Sequence, residues 1–265
     1  MRILHLVAIS AVTTVLSVPA FAGSIFITGH DPDFHAAIGS NATGASNLLT
    51  TGVNYAKNGS ALPLLYLHDE STPVLAGHVN STLGLNAAGI TYVEKNAAQF
   101  TTENLANYSA ILVPSSFGGN LTQAELDAVN ARSADLINYI NAGGGLVALA
   151  ETPNDASLAT TNLFGFLPFL VISNPVDQSE VGNTVTPFGA SLGLTNTDIN
   201  GNASHCVFTA TGGMDVVDND AAGRILSLAY RGQIGTKGVV PEPGTLAFLL
   251  AGGLPLLALK RRVRG

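Results

Sequence analysis

The sequence predicts an α/β protein built in three layers, α/β/α, around a mainly parallel sheet. Three observations carry this reading. Short uncharged apolar runs recur along the first 150 residues. The segments between them are long enough for helices. One of those segments carries both a helix start signal and a helix stop signal. Continuous apolar strands that alternate with helices are the mark of strands buried on both faces, as in a parallel sheet.

The first strand is residues 24–29 (SIFITG), closed by a glycine. Residues 63–67 (PLLYL), 90–93 (ITYV), 109–114 (SAILVP) and 145–150 (GLVALA) read the same way. The clearest helix spans 123–141. Thr122 and Glu125 form a T-x-x-E capping box, in which each satisfies a backbone N–H left over at the helix start. Leu126, Val129, Leu136, Ile137 and Ile140 fall on one apolar stripe. Gly143, Gly144 and Gly145 end the helix and launch the next strand. Beyond Ala150 the pattern weakens. Residues 163–172 read as a loop plus a strand, 186–194 as a short helix, and 205–208, 215–217 and 224–229 as later strands. There is no internal repeat.

Charged residues make up 11% of the chain, against about 25% in an average globular protein. Low charge with abundant Gly, Asn, Thr and Ser suits a secreted protein. Five of the eleven basic residues lie at the ends, at Arg2, Lys260, Arg261, Arg262 and Arg264. The stretch between holds six basic against eighteen acidic residues, a net charge of −12. It contains no basic run, which disfavours nucleic acid as a partner. Cys206 is the only cysteine, so an internal disulfide is excluded. A lone cysteine reads first as a small buried apolar residue and second as a nucleophile.

The two ends carry targeting signals. Residues 1–22 hold a basic start at Arg2, a mostly apolar stretch and an A-x-A cleavage site at Ala20-Phe21-Ala22. This is a signal peptide for signal peptidase, cut after Ala22. At the other end, residues 232–239 read as a linker. Residues 240–265 begin with Val240-Pro241-Glu242-Pro243, continue through an uncharged span at about 245–259 and end in Lys260, Arg261, Arg262 and Arg264. Those fifteen span residues rise about 22 Å as a helix, short of the ~30 Å hydrocarbon core. Snorkelling basic side chains narrow that gap, and the basic cluster stays on the cytoplasmic side. The arrangement resembles the PEP-CTERM sorting signal of Gram-negative bacteria. The resemblance implies recognition by an exosortase near the Pro-Glu-Pro box, an exopolysaccharide-producing species, and a surface or matrix destination. Six N-x-S/T sequons, at Asn41, Asn58, Asn80, Asn107, Asn120 and Asn202, then reflect composition rather than glycan acceptors.

Residues 24–150, with the turn LVPSSFGG and the helix–Gly-Gly-Gly–strand sequence, resemble the class I glutamine amidotransferase-like superfamily and its ThuA-like branch. The resemblance implies a flavodoxin-like sheet. In amidotransferases the strand after such a helix delivers a cysteine nucleophile. Here Ala150 takes that position and Glu151 follows, so amidotransfer is not implied.

Ligands of open parallel sheets bind beyond the carboxyl ends of the strands. Three segments are expected to meet there: Gly29 to His35, Ser115 to Gly119, and Glu151-Thr152. The first packs His30, Asp31, Asp33 and His35 into six residues. Imidazole with carboxylate suits a divalent metal or acid–base work. The alternative is a solvated turn shaped by Asp-Pro, with Asp33 as a helix cap. Glu151 reads as a catalytic carboxylate or a cap. His205 reads as a base returning to the cleft or a structural histidine. His68 and Asp69 form a further pair. The expectation is therefore an exported surface or exopolysaccharide-associated protein, comprising a signal peptide (1–22), a globular domain (23–231), a linker and a sorting tail. The alternative is an extracytoplasmic hydrolase, or a binding module without turnover, that uses the His30–His35 loop.

Overall fold

The computed structural model describes residues 23–68, 76–116, 121–152, 158–159, 161–176 and 180–235. The expected signal peptide, the Pro-Glu-Pro box and the expected apolar tail span lie outside the described residues, as do Asp69 and residues 117–120. Among the described residues, no helix is long and apolar enough to cross a membrane.

The chain is α/β. In order it forms β1 (Gly23–Thr28), α1 (Pro32–His35), α2 (Ala42–Lys57), β2 (Leu64–Leu67), α3 (Ala76–Ala87), β3 (Tyr92–Lys95), α4 (Ala97–Thr102), β4 (Ala110–Val113), α5 (Gln123–Ala131), α6 (Ser133–Asn141) and β5 (Gly145–Ala148). The second part adds β6 (Val171–Pro175), β7 (Thr184–Val185), α7 (Pro187–Ser191), α8 (Asn196–Ile199), β8 (Cys206–Thr211), β9 (Asp215–Asn219) and β10 (Ile225–Gly232). All five apolar runs of the first part are strands.

The sheet is mixed. Its main path runs β3-β2-β4-β5-β1-β10-β8-β6, with β9 joined to β10 and β7. The first five strands are mutually parallel. The strands after residue 150 add antiparallel neighbours, beginning with β10 along the full length of β1. A flavodoxin-like sheet has the order 2-1-3-4-5. The five parallel strands occupy that spatial order with one change: the first strand of the chain stands where a last strand would be.

Side chains alternate across the sheet. Ile25, Ile27, Ile111, Val113 and Leu146 face Leu126 and Val129 of α5, Leu136 and Ile140 of α6, and the phenylalanines of 164–169. Leu64, Tyr66, Leu112 and Val147 face Leu49, Val53 and Ala56 of α2 and Leu85 of α3. Both faces are covered, which is why the parallel strands read as unbroken apolar runs.

The 123–141 helix is corrected to two helices. Its capping box is present as expected. At Arg132 the backbone leaves the helical region (φ −97°, ψ 18°), and α6 starts afresh at Ser133. The Arg132 guanidinium donates to the carbonyls of Phe100 and Glu103 and to Asp135, tying the break to α4. The expected linker also shortens. Gly232 closes β10, and Ile234 is held by Asn141, whose side chain accepts from its N–H and donates to its C=O.

Candidate functional site

β1, β2, β4 and β5 all end at one edge of the sheet, and a dense set of buried polar groups collects there. His30, Asp31, Asp33, Ser115, Glu151, Asp218 and Ser204 are completely buried, and His68 and His205 are buried. Such groups in a charge-poor interior must satisfy one another.

The chain leaves β1 at Gly29. A Cβ there would stand 1.9 Å from the Cys206 carbonyl oxygen, so only glycine lets the 203–206 segment lie against it. The backbone N–H of His205 donates to the Gly29 carbonyl (2.8 Å), and His30 bridges to Ser204. This contact returns His205 to the end of β1, across 176 residues of chain. The His205 Nε2 lies 3.1 Å from Asp31 Oδ2, and His35 Nε2 lies 3.3 Å from Asp31 Oδ1. Both approaches are at ion-pair distance but outside hydrogen-bond alignment.

Asp31 stands at the cap position of α1 yet caps nothing. Pro32 supplies the helix start without an N–H to satisfy. The carboxylate is thereby left to the two imidazoles. His35 Nδ1 sits 3.1 Å from the Ile38 carbonyl, which can only accept, so Nδ1 carries a hydrogen. Asp31 is thus flanked by two imidazoles, those of His35 and His205, at ion-pair distance. The His35 side chain is 13% exposed and is the array's opening to solvent.

The remaining acids face elsewhere. His30 Nε2 donates to Asp218 Oδ2 at 2.9 Å, both groups fully buried. Asp33 accepts from the Ser115 hydroxyl (2.7 Å) and backbone N–H (3.1 Å), and from the Phe34 N–H, locking α1 to the end of β4. Glu151 follows β5. Its Oε2 accepts from the Phe164 N–H, and burial pushes its pKa up to about 8, so it is a neutral acid at pH 7. Phe164 holds this bond from the left-handed region (φ 53°), an unusual conformation for a bulky residue. Ser116 and Thr152 exchange hydrogen bonds between the β4 and β5 ends. His68 stacks on Tyr66 with ring centroids 4.9 Å apart.

The expected metal ligands are not brought together among the described residues. His30, Asp31, Asp33 and His35 do not converge as one ligand set, because they turn to Asp218, to the two imidazoles, to Ser115 and to Asp31 respectively. Among the described residues, no group of three or more His, Cys, Asp or Glu side chains is arranged to hold a metal ion. The cysteine is also settled by its setting. Burial, reinforced by Glu151 beside it, pushes the Cys206 thiol up to about 12, which leaves a neutral packing group.

Sequence reasoning missed Asp218, the Asp33–Ser115 clasp and the nearness of Cys206 to Glu151. Asp218 lies one residue past the expected strand 215–217 and had no spacing signal. The structure also bears on two of the sequons. Asn202 is fully buried and donates to the Asp198 carbonyl, and Asn41 caps α2. A surface groove of about 730 Å³, lined by Lys57, Ser60, Asn104, Tyr108 and Gly144, lies at the opposite edge of the sheet and touches none of these groups.

Fold and site together define an α/β protein with a buried acid–base cluster at the carboxyl edge of its parallel strands. No family model matches the chain, and no curated protein matches it.

Proposed function

We propose that the protein is exported, cut after Ala22 by signal peptidase, and held at the envelope or surface of a Gram-negative bacterium by a PEP-CTERM tail that an exosortase processes. Exopolysaccharide is its proposed surrounding. The observation that carries this reading is the position of β1. Its first residue, Gly23, directly follows the A-x-A site and pairs with Gly232 at the end of β10. Removal of residues 1–22 therefore takes nothing from the sheet, and the tail departs beside the new N-terminus. Cell fractionation of full-length and tail-deleted chains tests it. Envelope retention of the full chain and release of the deleted one are expected. Identical fractionation of the two would sink the reading.

A second reading concerns the domain itself, as an extracytoplasmic hydrolase or ligand-binding protein of amidotransferase-like or ThuA-like, flavodoxin-like type. The His35–Asp31–His205 array favours it, with neutral Glu151 as a second proton donor and no cysteine nucleophile. In this reading His205 is the base that takes a proton from water or substrate, and Asp31 orients it. Screening the mature chain against glycosides of a chromogenic alcohol and amides of a chromogenic amine is the direct test. Turnover that survives His205→Ala unchanged would remove His205 from the chemistry.

A further inference from the structure

The parallel strands have a carboxyl edge and an amino edge, and the two differ in what they carry. The acid–base cluster is at the carboxyl edge. Both ends of the described domain are at the amino edge. Gly23 pairs with Gly232, Ser24 with Gly145, Leu64 with Ala110, and Ile234 is clamped by Asn141. Only residues 236–244, nine in number, separate the described domain from the apolar tail span.

The tether is short compared with the domain. Nine residues reach at most about 30 Å in any conformation. A globule the size of residues 23–235 has a radius of gyration of about 17 Å and a diameter of about 44 Å. With its attachment point turned away from the bilayer, the domain would need a tether at least as long as that diameter. Nine residues fall short of it.

From this we infer that, while the tail is in the bilayer, the amino edge of the sheet is the face that meets the lipid headgroups. The acid–base cluster then opens toward the aqueous side. This rests on the sorting reading above. It also sets a class of substrate or ligand: a molecule that arrives dissolved or within a hydrated matrix, not a lipid of the same leaflet. The strip around Ala61, which precedes β2, is membrane-proximal. The strip around Ile38, three residues beyond His35, is membrane-distal. Both residues are exposed.

The experiment reconstitutes the full-length chain in phosphatidylcholine vesicles that carry a nitroxide on the headgroup. A thiol-reactive fluorophore is placed at Ala61→Cys or at Ile38→Cys. Cys206 is buried and stays unlabelled in the native fold, which labelling of the unsubstituted chain checks. Quenching several-fold stronger at position 61 than at 38 is expected. A flexible Gly/Ser insert that doubles the tether should shrink the difference. Equal quenching at the two positions in vesicle-bound protein overturns the orientation alone. Failure of the full chain to float with vesicles, as for the tail-deleted chain, overturns the sorting reading and the orientation with it.

Discussion

At the scale of single residues, Glu151 and Asp218 are the most exposed to test. Glu151 has an ordinary pKa of 4.5 and a folded value of about 8. Between those values the folded state keeps a proton that the unfolded state has lost. Its contribution to stability is therefore whole below about pH 4.5, falls as pH rises, and levels off above about pH 8. Glu151→Gln should remove this slope. The variant should gain on the order of 3 kcal/mol over the parent at pH 7 and nothing at pH 4, read from urea unfolding at both pH values. Asp218→Ala strands the buried His30 imidazole and should cost about 2–3 kcal/mol, with Asp218→Asn costing less because an acceptor remains. The two residues also mark what the sequence could disclose. Glu151 was legible from its place after an apolar strand. Asp218 was not, because its partner stands 188 positions away and no local pattern records such a pair.

At the scale of elements, close approach decides how the site is held. Gly84 of α3 packs so tightly on α1 that a Cβ there would stand 1.9 Å from the Asp33 carbonyl oxygen. Gly84→Ala must push α1 aside, and α1 carries Asp33 and His35. A loss of about 1–3 kcal/mol is expected by thermal unfolding, together with weakening of any activity that depends on His205. By contrast Thr122→Ala removes only the α5 cap and should cost about 1 kcal/mol while leaving the cluster intact. The capping box was legible because its two residues are three apart. The break at Arg132 was not, since the apolar stripe of α6 continues that of α5. What separates them is the pull of Phe100 and Glu103 carbonyls from another element. Likewise the loop of four His and Asp residues was recognisable as unusual, but the direction of each side chain depends on segments far along the chain.

At the scale of the whole molecule, the alternation of apolar runs gave the α/β class and every parallel strand. It also placed strands at 205–208, 215–217 and 224–229, where β8, β9 and β10 lie. It gave neither the strand order nor the antiparallel pairing, because those are set by partners far along the chain and not by local periodicity. The sheet also sets an order of events. Among the described residues, β1 pairs with β5, about 120 residues later, and with β10, about 200 residues later, and with no strand between residues 29 and 144. Contacts so distant in sequence form slowly. In a chain threaded outward from its N-terminus, the first strand to cross would be among the last to find its place. Until β10 follows, β1 has one open edge and the Asp31 carboxyl lacks His205. In such a chain, completion of the sheet and assembly of the His35–Asp31–His205 array become a single late step, and a molecule still in transit carries no finished site.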